Sequence, residues 1–168
     1  MNIKAFYLIP VIFILLVIGG ISLFFYENQQ TALSQRQTMI HNKGASVMPF
    51  DLSQTTHIFK KTDNGGIQQV IAKDPKNSSQ ISLIHMHLQM EAELFQKGDF
   101  ADPAKLHGTD MPGLNNLSKG ASEIKITYSD LANGGQITYF TDKKDLVTAI
   151  HSWFDAQLSD HGTDAMGM

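Results

Sequence analysis

Two short segments of this 168-residue chain carry the same residue types, and those types could do chemistry. LHGTDMPG occupies residues 106–113 and DHGTDAMG occupies residues 160–167, so His, Gly, Thr, Asp and Met recur in the same order. Imidazole nitrogen with thioether sulfur is a ligand set that suits copper(I). The repeat therefore predicts a transition-metal site for copper or zinc, with these candidate ligands: His107, Met111, His161 and Met166.

A structural role accounts for the same repeat equally well. Glycine directly after a helix commonly caps it, and a histidine in the last turn is favoured by the helix dipole. This explanation fits His161, which follows a long helical pattern, better than His107, for which no long helix is predicted. Both interpretations stay open at this point.

The part of the chain that must position these residues reads as two strand–strand–helix units. Asn-Gly within DNGG and ANGG lies between alternating apolar segments, which is the strongest short signal for a β-hairpin. Apolar residues at helical spacing follow each hairpin. We predict repeat units at about residues 56–97 and 123–162, joined by a connection over residues 98–122 that contains a short helix after Pro112. The expected fold class is α+β, with one four-stranded antiparallel sheet and two main helices on one face.

Comparison of the two units singles out polar residues that stand where the other unit is apolar. His57 aligns with Ile126 on the first strand, and His161 aligns with Phe95 on the helix. Glu91 falls at the centre of the apolar stripe of the first helix, where a carboxylate needs a partner or a raised pKa. We expect His57, Glu91 and His161 to line one ligand-binding site. The alternative is that they are buried side chains with ordinary hydrogen-bond partners.

Three further histidines belong to the predicted helices. His87 precedes Glu91 by one turn, so the two could share an ion or a hydrogen bond. An exposed helix face explains the same pair without any function. His85 and His151 lie at the flank of the apolar stripes, where we expect them to close the edge between helix and sheet.

The amino-terminal region predicts that the protein is anchored in a membrane. Residues 5–26 are free of charge and, at about 1.5 Å per helical residue, are long enough to cross a hydrocarbon core of about 30 Å. This predicts a transmembrane signal anchor, with residues 1–4 cytoplasmic, residues 27–50 a juxtamembrane helix and linker, and residues 51–168 a soluble periplasmic or extracellular domain. A cleaved signal peptide, with a cleavage site near Gly19 and Gly20, is the alternative.

Composition excludes several classes of function. The chain has no cysteine and a net charge of -3, so disulfides, thiolate metal sites and a cysteine nucleophile are excluded, and no basic stripe suggests nucleic-acid binding. GxSxG, HExxH, P-loop and dinucleotide-binding motifs are all missing from the sequence, so the common catalytic signatures give no lead.

Several segments resemble a family of small, uncharacterised bacterial exported proteins, some of which carry an aspartate carbamoyltransferase label. The resembling segments, within about residues 46–165, are MPFDL, TTHIF, GGIQQV, KGDFADP, LHGTDMPGL and HSWFDAQLSDHG. Carbamoyltransferases are similar to one another in a Ser-Thr-Arg-Thr loop, a His-Pro-x-Gln motif and several arginines. This chain has neither motif and one arginine, Arg36, and lysine does not replace the bidentate fork of arginine. The sequence therefore does not support carbamoyl transfer.

Three functional hypotheses follow from the sequence. The leading one is a membrane-anchored extracytoplasmic binding domain with a His/Glu/Met site for a transition metal or a small ligand. The second is an enzyme that uses His57, Glu91 and His161 for acid–base chemistry. The third is a structural domain that binds a protein partner in the cell envelope.

Overall fold

The computed structural model describes the backbone of residues 3–168 and the side chains of residues 16–168. Contacts divide the chain into two compact units, Met1–Arg36 and Gln37–Met168. Helix α1 runs over Ile3–Gly44, so its last two turns belong to the second unit. The site described below lies wholly within that second unit.

The predicted transmembrane helix is not found among the residues with described side chains. Among the residues with described side chains, no helix is long and apolar enough to cross a membrane. The described apolar stretch, residues 16–26, is followed by a polar, glutamine-rich continuation of α1. Residues 5–15 of the predicted span, and the end predicted to be cytoplasmic, lie outside those residues. The predicted signal anchor and the predicted single-pass, extracytoplasmic location depend on this transmembrane helix, so both predictions are wrong as well.

Within residues 3–168 the structure forms one five-stranded mixed sheet, in the order β3-β4-β2-β1-β5. The strands are β1 Thr55–Thr62, β2 Gly65–Ala72, β3 Lys125–Leu131, β4 Gly134–Phe140 and β5 Ala165–Gly167. Neighbours among the first four are antiparallel, whereas β5 pairs with β1 in parallel, with His57 opposite Ala165. The predicted four-stranded antiparallel sheet is therefore wrong, because the chain end returns to the sheet edge after its last helix.

The described chain also has five α-helices, where the sequence predicted two main ones on one face of the sheet. After α1 they are α2 Ser78–Gln96, α3 Ala101–His107, α4 Leu114–Gly120 and α5 Lys144–His161. Helix α2 packs mainly on β3 and β4, and α5 packs on β1 and β2. The short helices α3 and α4 come from the connection over residues 98–122, and they enclose the core between α2 and α5.

An aromatic cluster joins this connection to the core. Phe95 of α2 stacks on Phe100 with ring centroids 4.4 Å apart. Trp153 of α5 meets both rings edge-on and also contacts Tyr139 of β4. Because Trp153 is completely buried, it fixes the position of α5 against α2 and the sheet.

Gly113, at the start of α4, provides a stability prediction. Its φ is +81°, and a Cβ there would come 2.1 Å from the carbonyl oxygen of Ala149 on α5. We expect Gly113→Ala to lower the free energy of unfolding by about 2 kcal/mol, through backbone strain and overpacking. Urea denaturation of the full chain measures the loss. The exposed Asn116→Ala in the same helix is the control, and equal stability of the two variants would contradict the tight packing of α4 on α5.

Candidate functional site

A cavity of about 50 Å³ lies between the sheet and the helices, and its walls are rich in titratable side chains. They come from β1, α2, α3 and α5, so both predicted units and the connection contribute to it. Segment 47–50, between α1 and β1, adds Val47, Met48 and Phe50. The polar wall residues are His57, Gln68, His87, Glu91, Asp102, His107, Gln157 and His161.

The structure brings together the three residues that the sequence proposed for ligand binding. His57, Glu91 and His161 all line this cavity. The rings of His57 and His161 stack, with centroids 4.7 Å apart and planes 14° from parallel. His107 meets His161 edge-on at 5.0 Å. Each of these residues is buried, because strand β1 and helices α2, α3 and α5 direct them into the core.

The two His-Gly-Thr-Asp segments occupy equivalent positions at helix ends. Helix α3 ends at His107 and is followed by Gly108 with φ +105°, while α5 ends at His161 and is followed by Gly162 with φ +53°. Glycine relieves the strain of a positive φ. Capping therefore accounts for the repeat at both positions, including His107, whose seven-residue helix is too short to show a periodic pattern.

The predicted copper or zinc site is wrong. Among the described residues, no group of three or more His, Asp or Glu side chains is arranged to hold a metal ion. His107 and His161 are neighbours, but Met111 is packed in the apolar core and Met166 is half exposed on β5.

His107 is anchored by a buried hydrogen bond. Its Nδ1–H donates to Oδ2 of Asp160 at 2.8 Å, and both side chains are almost completely buried. A buried side-chain hydrogen bond of this kind fixes the orientation of the ring. Asp160 therefore positions the His107 ring beside His161.

This buried hydrogen bond gives a second stability prediction. Asp160→Ala removes the acceptor of His107 Nδ1–H, so we expect unfolding to become easier by about 1 to 3 kcal/mol. Urea denaturation of the full chain checks this value. A change below about 0.5 kcal/mol, the size typical of surface substitutions, would contradict a buried hydrogen bond between the two side chains.

Five buried polar atoms have no hydrogen-bond partner among the described residues, and every one belongs to a residue that lines this cavity. They are His57 Nδ1, Glu91 Oε1, Trp153 Nε1, Gln157 Oε1 and His161 Nδ1. Their residues are at most 6% exposed. An unpaired buried polar group costs about 1 to 3 kcal/mol, so their concentration at one cavity points to a polar occupant.

Burial keeps the two stacked histidines neutral. It lowers the pKa of His57 well below 6.5, and His161, His87 and His107 lower it further. Burial, followed by His107, lowers the pKa of His161 to about 4. The backbone carbonyl of Asp164 opposes this lowering for His57 by favouring a proton on the ring; since Nδ1 has no partner, we assign the proton to Nε2. Nδ1 of His57 therefore carries a lone pair.

Glu91 is largely protonated at neutral pH. Burial raises its pKa to about 8, and the neighbouring Asp102, which also forms a side-chain hydrogen bond with it, raises it further. This agrees with the physical requirement that a carboxylate in an apolar stripe needs a partner or a raised pKa. Asp102 itself comes from α3, which the sequence did not predict. The nearby His87 has a pKa lowered by burial.

Segment 47–50, which the sequence assigned to a linker, covers the cavity. The ring of Phe50 lies 5.9 Å from that of His57 and 5.6 Å from that of His87. The preceding end of α1 is held in place because His41 Nδ1 bonds Asp164 Oδ2 at 2.6 Å. Gln37 also donates to the backbone oxygen of Ser159 at 2.9 Å.

The two flanking histidines lie at the edges of the hairpins and outside the cavity. Nε2 of His151 lies 3.0 Å from the carbonyl oxygen of Thr62 and 2.9 Å from that of Gly65. Nε2 of His85 lies 3.3 Å from the carbonyl oxygen of Leu131. Each ring thus joins its helix to the end of a strand.

No protein-family model, curated protein or solved structure gives a significant match to this chain. The resemblance to a family of bacterial exported proteins therefore stays a prediction. Functional inference has to start from the cavity itself.

Proposed function

We propose that this chain is a binding domain for a small polar molecule and that the histidine-lined cavity is the binding site. One observation carries the proposal: the five unpartnered buried polar atoms of the described side chains all belong to walls of the same cavity. Binding sites characteristically combine apolar walls with a few convergent polar groups. Phe95, Trp153 and Leu88 supply apolar wall here.

The volume limits the size of the ligand. A dry engineered cavity of roughly 150 Å³ holds benzene, whereas this cavity measures about 50 Å³. By proportion, a ligand of about two non-hydrogen atoms fits without rearrangement of the walls, and one of about four fits when the walls move slightly. Ordered water is the competing occupant, since a polar cavity of this size holds a few molecules.

Titration of the full chain with small polar molecules tests the proposal. Methylammonium, acetamide and acetate are each added at up to about 100 mM while backbone amide shifts are followed by NMR. We expect saturable shifts confined to the cavity walls for at least one of them. If none of the three produces saturable shifts there, the cavity is a water-filled structural feature and the proposal is wrong.

A matched pair of variants ties any binding to the cavity. Gln157→Met removes one unpartnered acceptor and is expected to weaken binding by about threefold to tenfold, the value of one hydrogen bond. Gln89→Met makes the same change at an exposed position of α2 and should leave binding unchanged. Equal effects of the two substitutions would place the ligand elsewhere.

Acid–base catalysis is a second candidate, and the protonation states favour it. The cavity combines a neutral imidazole, with a lone pair on Nδ1 of His57, and a carboxyl group, Glu91, whose pKa of about 8 leaves it able to donate a proton near neutral pH. Proton transfer requires a free base and a protonated acid within reach of the same molecule. In this case His57→Ala should abolish chemical conversion of the small molecule, followed by proton NMR of the ligand, and lower its affinity only by the value of one hydrogen bond, about threefold to tenfold.

A further inference from the structure

We infer that the ligand of this cavity is ammonium or a small primary alkylammonium ion such as methylammonium. The inference rests on the proposed function and specifies the chemical class that the site takes. Four properties of the walls carry it: the excess of hydrogen-bond acceptors, the signs of the surrounding charges, the aromatic surface and the small volume.

Acceptors outnumber donors among the unpartnered atoms. His57 Nδ1, Glu91 Oε1 and Gln157 Oε1 accept, whereas Trp153 Nε1 donates. His161 Nδ1 adds an acceptor or a donor, depending on its tautomer. A primary ammonium group presents three N–H donors and no acceptor, so it matches the excess of acceptors among these atoms. A carboxylate ligand presents only acceptors and would leave them unpaired.

The charges around the cavity favour a cation. Its walls hold two acidic side chains, Glu91 and Asp102, and none of the wall residues is Lys or Arg. Asp99 acts electrostatically on Glu91, and both Asp160 and Asp164 act on His161. The histidines that line the cavity, together with His41, which acts on His161, are the opposing titratable groups. With His57 and His161 neutral, an anion meets no fixed positive charge here, while a cation meets several carboxyl groups.

Aromatic walls and small volume narrow the class further. Trp153, Phe95 and Phe50 line the cavity, and a ring face attracts an ammonium group within about 6 Å of its centroid. A space of about 50 Å³ admits the methyl group of methylammonium and excludes long alkylamines. Tetramethylammonium, which is larger and has no N–H donor, serves as the negative control.

Ammonium binding at this site is coupled to proton release. Glu91 is mostly protonated at pH 7, and a cation beside it favours the ionised carboxylate. The ligand keeps its own proton, the Glu91 carboxyl gives its proton to solvent, and the bound pair is ammonium with carboxylate. The expected stoichiometry at pH 7 is close to one proton released for each ligand bound.

Isothermal titration calorimetry of the full chain measures this coupling. Methylammonium chloride is titrated at pH 7 in phosphate and in MOPS at matched ionic strength, and the difference in enthalpy gives the number of protons released. We expect Glu91→Gln to weaken binding about tenfold or more, since it removes a charged hydrogen-bond partner, and to abolish proton release. Glu93→Gln, exposed on the same helix, should change neither quantity.

The outcomes separate this inference from the proposed function. Methylammonium that binds without proton release, or equally well to Glu91→Gln, overturns the ammonium assignment. Acetamide or acetate that binds in its place also overturns the assignment but leaves the proposed function standing. If neither methylammonium nor acetamide nor acetate binds, both are wrong. If Glu91→Gln does not fold, Gln157→Met takes its place and is expected to weaken methylammonium binding about threefold or more.

Discussion

Replacing Glu91 by Gln is expected to stabilise the folded chain at pH 8 by up to about 4 kcal/mol. Burial raises the pKa of Glu91 from 4.5 to about 8, so the folded state binds a proton that the unfolded state has released. The stability contributed by this group is fully present below pH 4.5 and is lost as the pH rises through 8. Gln cannot ionise, and its amide can still donate a hydrogen bond to Asp102. The variant therefore avoids the loss of stability that ionisation of Glu91 causes at high pH.

Urea denaturation at pH 5 and pH 8 checks the sign and the size of this effect. The stabilisation should fall below about 1 kcal/mol at pH 5, where the Glu91 ionisation matters little in either state. Glu93→Gln provides the matched control, with an expected change within about 0.5 kcal/mol at both pH values, as for other surface substitutions. A Glu91→Gln variant that is destabilised by the same amount at both pH values would show that Glu91 is ionised in the folded protein, which would contradict this account.

Between pH 6.5 and pH 4, the burial of His161 is expected to lower the free energy of unfolding of the wild-type chain by about 3 kcal/mol. Replacing His161 by Phe is expected to remove this loss. Burial lowers the pKa of His161 from 6.5 to about 4, so its contribution to stability is present above pH 6.5 and is lost as the pH falls towards 4. His57 acts in the same direction. Glu91 acts in the opposite direction over this interval, so wild-type stability should pass through a maximum near pH 6.5.

The fall in stability from pH 6.5 to pH 4, here called the acid limb, is best measured in the Glu91→Gln variant, where the opposing titration of Glu91 is absent. Denaturation curves at half-unit steps from pH 4 to pH 7 then report the histidines alone. His85→Gln is the control, because its ring lies on the helix flank and is one third exposed. If His161→Phe leaves the acid limb as steep as in the parent variant, the His161 imidazole is not held neutral by burial.

The residues of the site could be chosen from the sequence because polar side chains at apolar positions stand out. His57 breaks the alternation of a strand, and Glu91 breaks the stripe of a helix. The structure brings both, with His161, to one cavity. Asp102 and Asp160 could not be chosen in the same way. Asp102 lies on a seven-residue helix without detectable periodicity, and Asp160 is one of three acidic residues of α5, with Asp145 and Asp155.

Other errors have identifiable physical causes. Strand β5 has three residues, which is too short for an alternating pattern, so the mixed sheet could not be predicted. The metal site was inferred from residue types alone, and only the coordinates show that Met111 and Met166 point to different environments. The apolar amino-terminal stretch indicates a span by composition, whereas no helix among the residues with described side chains is long and apolar enough to cross a membrane.

Histidine side-chain NMR of the full chain gives the most direct test of the central claim, that a small polar molecule binds at the lone pairs of a buried histidine cavity. Long-range ¹H–¹⁵N spectra at pH 7 should show His57 with its proton on Nε2. On addition of methylammonium, acetamide or acetate, the Nδ1 signals of His57 and His161 should shift and saturate while those of His151 stay unchanged. Rings that respond to none of the three, or a His57 that carries its proton on Nδ1, would contradict the account.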